Sequence, residues 1–205
     1  MPIGHCSPAW CTDGEQHEHM IAPDLQQLGQ AVRQSDRKAF KTLFEAMRDA
    51  LYRYAVLLVR DSDAAYDIVQ EVFIKLWDVR HTLDAHKSLK SLLFQMTRNR
   101  SLNYIRDHQQ RRTDWEDVPE ALLVDDYDVE ADIDLNALQS NLNQWIRALP
   151  GRRKEVFMLS RYDGLSHEEI ANVLEISPRT VNNHLGFALH ELRQKVLAFV
   201  GGNTP

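Results

Sequence analysis

The sequence predicts an all-α chain of two small helical domains joined by a flexible acidic linker. Apolar residues recur at helical spacing through residues 24–112 and again through 135–199. No hairpin dipeptide sits between alternating apolar runs, so no strand signal competes. Between the two periodic blocks, Thr113 to Leu138 holds ten acidic residues and no Lys or Arg. Like charges at that density repel, which favours a tether over a packed element.

The elements follow in order. Residues 1–23 contain Gly, His and Pro without periodicity and are expected to be a disordered tail. Phe40, Leu43, Phe44, Met47, Leu51, Ala55 and Leu58 share one helix face. Ser62, between Asp61 and Asp63, is expected to break that helix and cap the next. Ile68, Val69, Val72, Phe73, Leu76 and Trp77 then repeat at helical spacing. A further helix spans Ser88 to Gln109, with Leu89, Leu92, Leu93, Met96, Leu102 and Ile105 inside. The linker is placed at 113–134. Beyond it, Leu135, Leu138, Leu142, Trp145, Ile146 and Leu149 form a stripe that Pro150-Gly151 ends. A helix from Arg152 to Tyr162 is closed by Asp163-Gly164. Two more helices complete the block, and residues 200–205 are a tail.

Net charge over the 205 residues is −6. Removing the ten acids of the linker leaves +4. Lys87 to Arg112 carries seven Lys or Arg against one Asp. Charge is segregated, so overall acidity does not exclude a nucleic-acid partner. Cys6 and Cys11 lie together near the N-terminus and staple nothing, which fits a reducing, cytoplasmic setting. Their spacing to His5, His17 and His19 does not match paired zinc ligands, so no metal is expected. No apolar run is long enough to span a bilayer, and the start lacks a basic segment followed by an apolar one. Neither membrane insertion nor a secretory leader is expected. No catalytic triad, phosphate loop or pair of catalytic carboxylates is present, so neither an enzyme nor a cofactor is expected.

Leu165 to Leu185 is the most informative stretch. Ser166 and Glu169 have capping-box spacing, so a helix starts there. Ile170, Ala171 and Leu174 form its buried side. Ser177 caps a second helix, with Pro178 at its first position, where no backbone donor is needed. Val181, Leu185, Ala188, Leu189, Leu192 and Val196 give that helix an apolar stripe. A turn of about three residues separates the two, the spacing of a helix-turn-helix. Arg179, Thr180, Asn182, Asn183 and Phe187 lie toward the N-terminal half of the second helix, which enters the major groove in such motifs. Arg bridges two acceptors on guanine and Asn bridges adenine. Arg152, Arg153 and Lys154 open the preceding helix and are candidates for phosphate contacts. The turn usually takes a glycine for positive φ, and Glu175 stands there instead. The sequence therefore predicts a non-glycine residue in left-handed conformation.

In the first block, Asp67, Gln70, Glu71 and Lys75 project from the side opposite the apolar stripe. Glu71 and Lys75 are spaced as an i,i+4 surface pair, which is one reading of them. Further on, Arg98, Asn99, Arg100, Asn103, Tyr104 and Arg106 mix cations, amides and an aromatic ring on one helix. Arg neutralises phosphates, and Tyr stacks on an unpaired base or is a half-buried core ring.

Asp63 to Trp77 resembles the polymerase-binding helix of extracytoplasmic-function (ECF) sigma factors of the sigma-70 family. Leu149-Pro150 with Arg152, Arg153, Glu155, Val156 and Phe157, followed by Gly164-Leu165-Ser166, fits the same family. So does the order of domains. The resemblance covers about residues 26–198. It implies a sigma region 2 domain (24–112), a linker (113–134) and a sigma region 4 domain (135–199). The implied partners are RNA polymerase core, through its β′ clamp helices and β flap, promoter DNA, and an anti-sigma factor. The face of Asp67, Gln70, Glu71 and Lys75 would meet the clamp helices. The stretch Arg98 to Arg106 would bind the −10 element, with a base-capturing loop within His81 to Leu89. The helix-turn-helix would read the −35 element. The acidic linker either follows basic polymerase surface or is a solvated tether.

Two rival readings remain. An autonomous helix-turn-helix regulator needs a receiver or ligand domain, which residues 24–112 do not suggest. A sigma-mimicking adaptor that only titrates an anti-sigma factor should have degraded its DNA-reading positions, and here they are intact.

Overall fold

The computed structural model describes residues 24–84, 87–109 and 133–202. They form α1 (Leu25–Arg33), α2 (Arg37–Val59), α3 (Ser62–Asp78), a 3₁₀ turn (Arg80–Thr82), α4 (Leu89–Gln109), α5 (Ile133–Arg147), α6 (Gly151–Arg161), α7 (His167–Leu174) and α8 (Pro178–Gly202). Among the described residues there is no strand. Residues 1–23, 85–86, 110–132 (most of the expected linker) and 203–205 lie outside the described residues, while Val200, Gly201 and Gly202 of the expected C-terminal tail belong to α8. The linker's expected last two residues, Ile133 and Asp134, already belong to α5.

The first three helices start on one device. Asp24, Asp36 and Asp61 each sit in extended conformation and accept hydrogen bonds from two N–H groups of the first turn. These donors have no partner within the helix, so a carboxylate there satisfies them and opposes the positive end of the helix dipole. The cap of α3 is thus Asp61 and Ser62 is its first helical residue, so the helix starts one place earlier than the sequence suggested. In Asp-Ser-Asp all three are good caps, and the backbone decides. Asp61 is extended (φ −145°, ψ 117°), whereas Ser62 is helical.

Region 24–109 packs around the seam of α2, α3 and α4. Leu43, Leu51, Ala55, Ala65, Val72, Leu76, Leu93 and Phe94 are fully buried. Phe40 meets Trp77 at 4.9 Å and Phe44 meets Phe73 at 4.8 Å, both edge-on, the arrangement that ring quadrupoles favour. Burial on α4 stops at Ser101. Leu102, expected inside, is 41% exposed because it lies off the side carrying Ser101, Tyr104 and Ile105, which turns toward the core.

Residues 133–202 build a second core from Ile146, Leu149, Val156, Leu159, Ile170, Val173, Leu174, Val181 and Ala188. α8 packs on α5, α6 and α7. Leu189, expected in the α8 stripe, is exposed; the buried series is Val181, Leu185, Ala188 and Leu192, and Leu189 falls one position off it. Truncating Leu159 or Leu174 to Ala is expected to cost about 2–5 kcal/mol. The two cores also meet. α4 is flanked by α2 on one side and α7 on the other.

Candidate nucleic-acid interface

Local chemistry fixes the helix-turn-helix. Gly164 takes φ +60°, which lets the chain leave α6 and turn into α7. The Ser166 hydroxyl accepts from the Glu169 N–H at 3.2 Å, and the Glu169 carboxylate accepts from the Ser166 N–H at 2.8 Å. That is the expected capping box. α7 ends at Glu175, which takes the left-handed conformation the sequence required, φ 56° and ψ 45°. Ile176 N–H then returns to Ala171 O at 3.1 Å. The Ser177 hydroxyl accepts from Thr180 N–H at 3.0 Å and starts α8, with Pro178 first.

This geometry leaves Arg179, Asn182 and Asn183 exposed on the first two turns of α8. Thr180 is half-buried, its hydroxyl 2.8 Å from that of Ser177. Phe187 is 58% exposed, with the Arg153 guanidinium 5.2 Å from its ring centre. The three cations of α6 differ in role. Arg152 pairs with Glu155 and Arg153 with Glu191. The Lys154 ammonium donates to Arg147 O at 2.7 Å, closing the C-terminus of α5. Burial lowers its pKa, and Arg60 and Arg147 add to that.

On α3, Asp67, Gln70, Glu71 and Lys75 are all exposed. Two residues not singled out in the sequence join them. Tyr66 is 61% and Ile74 62% exposed. Their signal was present, since both fall off the apolar stripe of α3. A large ring and a branched aliphatic group beside carboxylates make a mixed face of the kind that protein partners cover. Glu71 pairs with Arg100 of α4, a tertiary partner in place of the i,i+4 Lys75.

On α4, Asn99, Arg100, Asn103 and Arg106 are exposed on the outer side. Tyr104 is half-buried, its ring stacked on His108 at 3.9 Å and its hydroxyl 3.3 Å from Asp61 Oδ2. Arg98 does not join the exposed set. It is 7% exposed, and its Nε donates to Glu155 Oε1 at 3.2 Å. The Tyr54 hydroxyl donates to the same oxygen at 2.9 Å. Burial first, then the Glu155 charge, pushes the Tyr54 pKa well up, so it remains a donor.

A cleft of about 700 Å³ lies between α1, residues 79–84 and 87–88, and α4, beside the described part of the segment where base capture was expected. Gly29, Leu83, Leu92 and Met96 line it, and Glu169 and Asn172 of α7 form its further wall. Burial alone would raise the Glu169 pKa. Hydrogen bonds from Ser88 and Ser166, with Lys90 nearby, outweigh it and hold the carboxyl below its usual range. Among the described residues no cluster of His, Cys, Asp or Glu is arranged to hold a metal. Nor is any described helix long and apolar enough to cross a membrane.

Comparison with known proteins matches residues 43–112 to the family model "Sigma-70 region 2" and residues 140–192 to "Sigma-70, region 4". The probable RNA polymerase sigma factor RfaY of Xanthomonas campestris pv. campestris is 26% identical over 176 residues, 82% of this chain. The chain spans only 44% of that relative. The ECF RNA polymerase sigma factor SigM of Bacillus subtilis is 24% identical over 151 residues, covering 74% of this chain and 91% of that one. The fold is shared with the sigma factor RpoE, solved in complex with the anti-sigma factor NepR from Bartonella quintana. There the TM-score is 0.61 at 22% identity, over 77% of this chain and 96% of the other.

Proposed function

Because the chain belongs to the sigma-70 family, as an ECF sigma factor that directs promoter-specific transcription by RNA polymerase, we propose a division of labour among three of its helices. α3 docks on the β′ clamp helices through Asp67, Gln70, Glu71 and Lys75, with Tyr66 and Ile74 as apolar anchors. α4 and the adjoining cleft take the −10 element through Asn99, Arg100, Asn103, Tyr104 and Arg106. α8 reads the −35 element through Arg179, Asn182 and Asn183, with Arg152 and Arg153 at phosphates and region 4 against the β flap. Arg98, buried against Glu155, and Lys154, whose ammonium closes the carbonyl end of α5, serve the protein first.

The observation that carries this reading is the exposure of Arg179, Asn182 and Asn183 directly after the capped turn. Side chains there reach base edges when the helix end enters the major groove. The polymerase performs RNA synthesis, so this subunit contributes binding and positioning and no bond chemistry of its own. A cytoplasmic location and control by an anti-sigma partner fit the same reading. Neither the autonomous regulator nor the titrating adaptor is favoured by the family matches.

Binding of holoenzyme to promoter fragments tests the assignment. Asn182→Ala should cost about 1–3 kcal/mol on the cognate −35 element and less on others, because it removes a bidentate base contact. Arg153→Ala should weaken all sequences alike and flatten the salt dependence, as a phosphate contact does. Equal losses on every sequence for Asn182→Ala would remove it from base reading.

A further inference from the structure

We propose that Arg80 is a positioning residue for −10 recognition: it bridges the end of α3 to the α1–α2 turn and so holds the wall of residues 79–84 at a fixed distance from α4. This rests on the reading of the adjoining cleft as part of the −10 site and adds the residue that sets its width.

The walls of the cleft differ in firmness. α4 is anchored by Leu93 and Phe94, both fully buried. α1 lies close on the first residue of α4: a Cβ at Gly29 would stand 3.2 Å from Leu89 Cδ2, tighter than ordinary packing. The wall from Val79 to Asp84 is a single 3₁₀ turn with its flanks. Its own bonds are local. The Thr82 hydroxyl donates to Val79 O at 2.7 Å, and Leu83 N–H to Arg80 O at 3.2 Å. A turn of this kind has poor hydrogen-bond geometry and does not place itself. Leu83 anchors it by burial, and Arg80 reaches out of it with three contacts.

The Arg80 Nη1 donates to Trp77 O at 2.6 Å, closing a last-turn carbonyl of α3. Its guanidinium carbon lies 4.4 Å from the centre of the Trp77 ring, which itself meets Phe40 of α2. Its Nε donates to the Ser35 hydroxyl at 2.8 Å, in the turn between α1 and α2. A planar guanidinium makes all three contacts at once, and an ammonium cannot. Arg80 does not line the cleft, whereas its neighbours Val79, Thr82 and Leu83 do. It therefore acts on the cleft through them.

Ser35 supplies a second, independent sign. It sits at φ 66°, where glycine is the unstrained choice. Strain of this kind persists where the surroundings over-determine it, and it concentrates at sites of function. Glycine would relax the turn but has no hydroxyl to accept from Arg80. The chain keeps the strained residue that supplies the acceptor.

Holoenzyme assembled on core polymerase tests this with fragments of its mapped promoter, each carrying one base change in the −10 or the −35 element. The quantity read is the ratio of affinities for cognate and changed bases. Arg80→Ala should lower that ratio about tenfold within the −10 element, the size of one base contact, and leave the −35 ratios and core binding as in wild type. Arg80→Lys should recover part of the loss. Ser35→Gly should lose discrimination at the same −10 positions while melting close to wild type, since relief of the left-handed strain offsets the lost hydrogen bond. Arg80→Ala combined with Ser35→Gly should be no worse than Arg80→Ala alone, because both cut the same bridge. Should Arg80→Ala fail to fold, Ser35→Gly decides by itself. Equal weakening on every sequence, or a Ser35→Gly variant that discriminates as wild type does, overturns the positioning role. A wild-type holoenzyme indifferent to changes in the −10 element would sink the reading of the cleft, and the positioning role with it.

Discussion

Glu175→Gly isolates a single backbone strain at the heart of the helix-turn-helix. Glu175 sits at φ 56°, ψ 45°, where the Cβ of an L-residue crowds the following carbonyl. That costs roughly 1–2 kcal/mol. Glycine removes the clash and keeps the N–H that bonds Ala171 O. It also gives the unfolded chain more freedom, a loss of roughly 0.5–1 kcal/mol. The Glu175 side chain is exposed, so no packing is lost. The balance is a gain of about 0–1.5 kcal/mol, and in a region of this size 1 kcal/mol moves Tm by about 4–8 °C. Calorimetry of wild type and variant should therefore show the region 4 transition unchanged or higher. Promoter selectivity should be the same, since Arg179 and Asn182 keep their helix. A clear fall in Tm would mean that the turn does not need a left-handed residue at this position.

A pH series on Asp163→Asn reads a buried carboxyl. The Asp163 side chain is 6% exposed, and burial lifts its pKa from 3.8 to about 6 against the pull of Arg53 and Lys90. The folded state keeps a proton that the unfolded state releases between about pH 4 and 6, so this group's contribution to stability falls as pH rises through that window. Above it, the buried charge costs about 3 kcal/mol. The variant should be more stable than wild type at pH 7, and the difference should vanish toward pH 4; a difference independent of pH would refute the assignment. Asp36→Ala removes the cap of α2, whose carboxylate accepts from Lys38 N–H at 2.7 Å and Ala39 N–H at 3.2 Å, and should cost about 1 kcal/mol by denaturant titration. No change would mean that the exposed cap is replaced by water without loss.

Where the determinants are local, the sequence was enough. Ser166 with Glu169, Ser177-Pro178 and the odd Glu175 each act within a turn of themselves, and all three took the expected geometry. The buried faces of α3 and of the first half of α2 were legible because each buries one stripe, whereas Tyr54, Ala55 and Val56 of α2 are buried in succession. α4 was harder. It is covered on two sides, so Arg98 looked like part of a basic surface although its partner Glu155 lies 57 residues away. Tyr54 and Glu155 meet across 101 residues, and no spacing rule brings them together. Glu71 shows the same limit, since Lys75 is its neighbour on the helix and Arg100 its partner in space. Tyr66 and Ile74 were missed for a simpler reason. They belong neither to the apolar stripe of α3 nor to its row of polar residues, so neither pattern drew them in. Leu102 and Leu189 erred differently, each included in an apolar set although it lies exposed.

Run-off transcription with purified core polymerase and genomic fragments, including the region upstream of this chain's own coding sequence, tests the central claim most directly. Discrete transcripts should appear only with the protein and disappear when Asp67, Gln70 and Glu71 are replaced together by Ala, while the helical content of the variant is unchanged. A protein that fails to bind core yet binds duplex DNA tightly by itself would contradict the account.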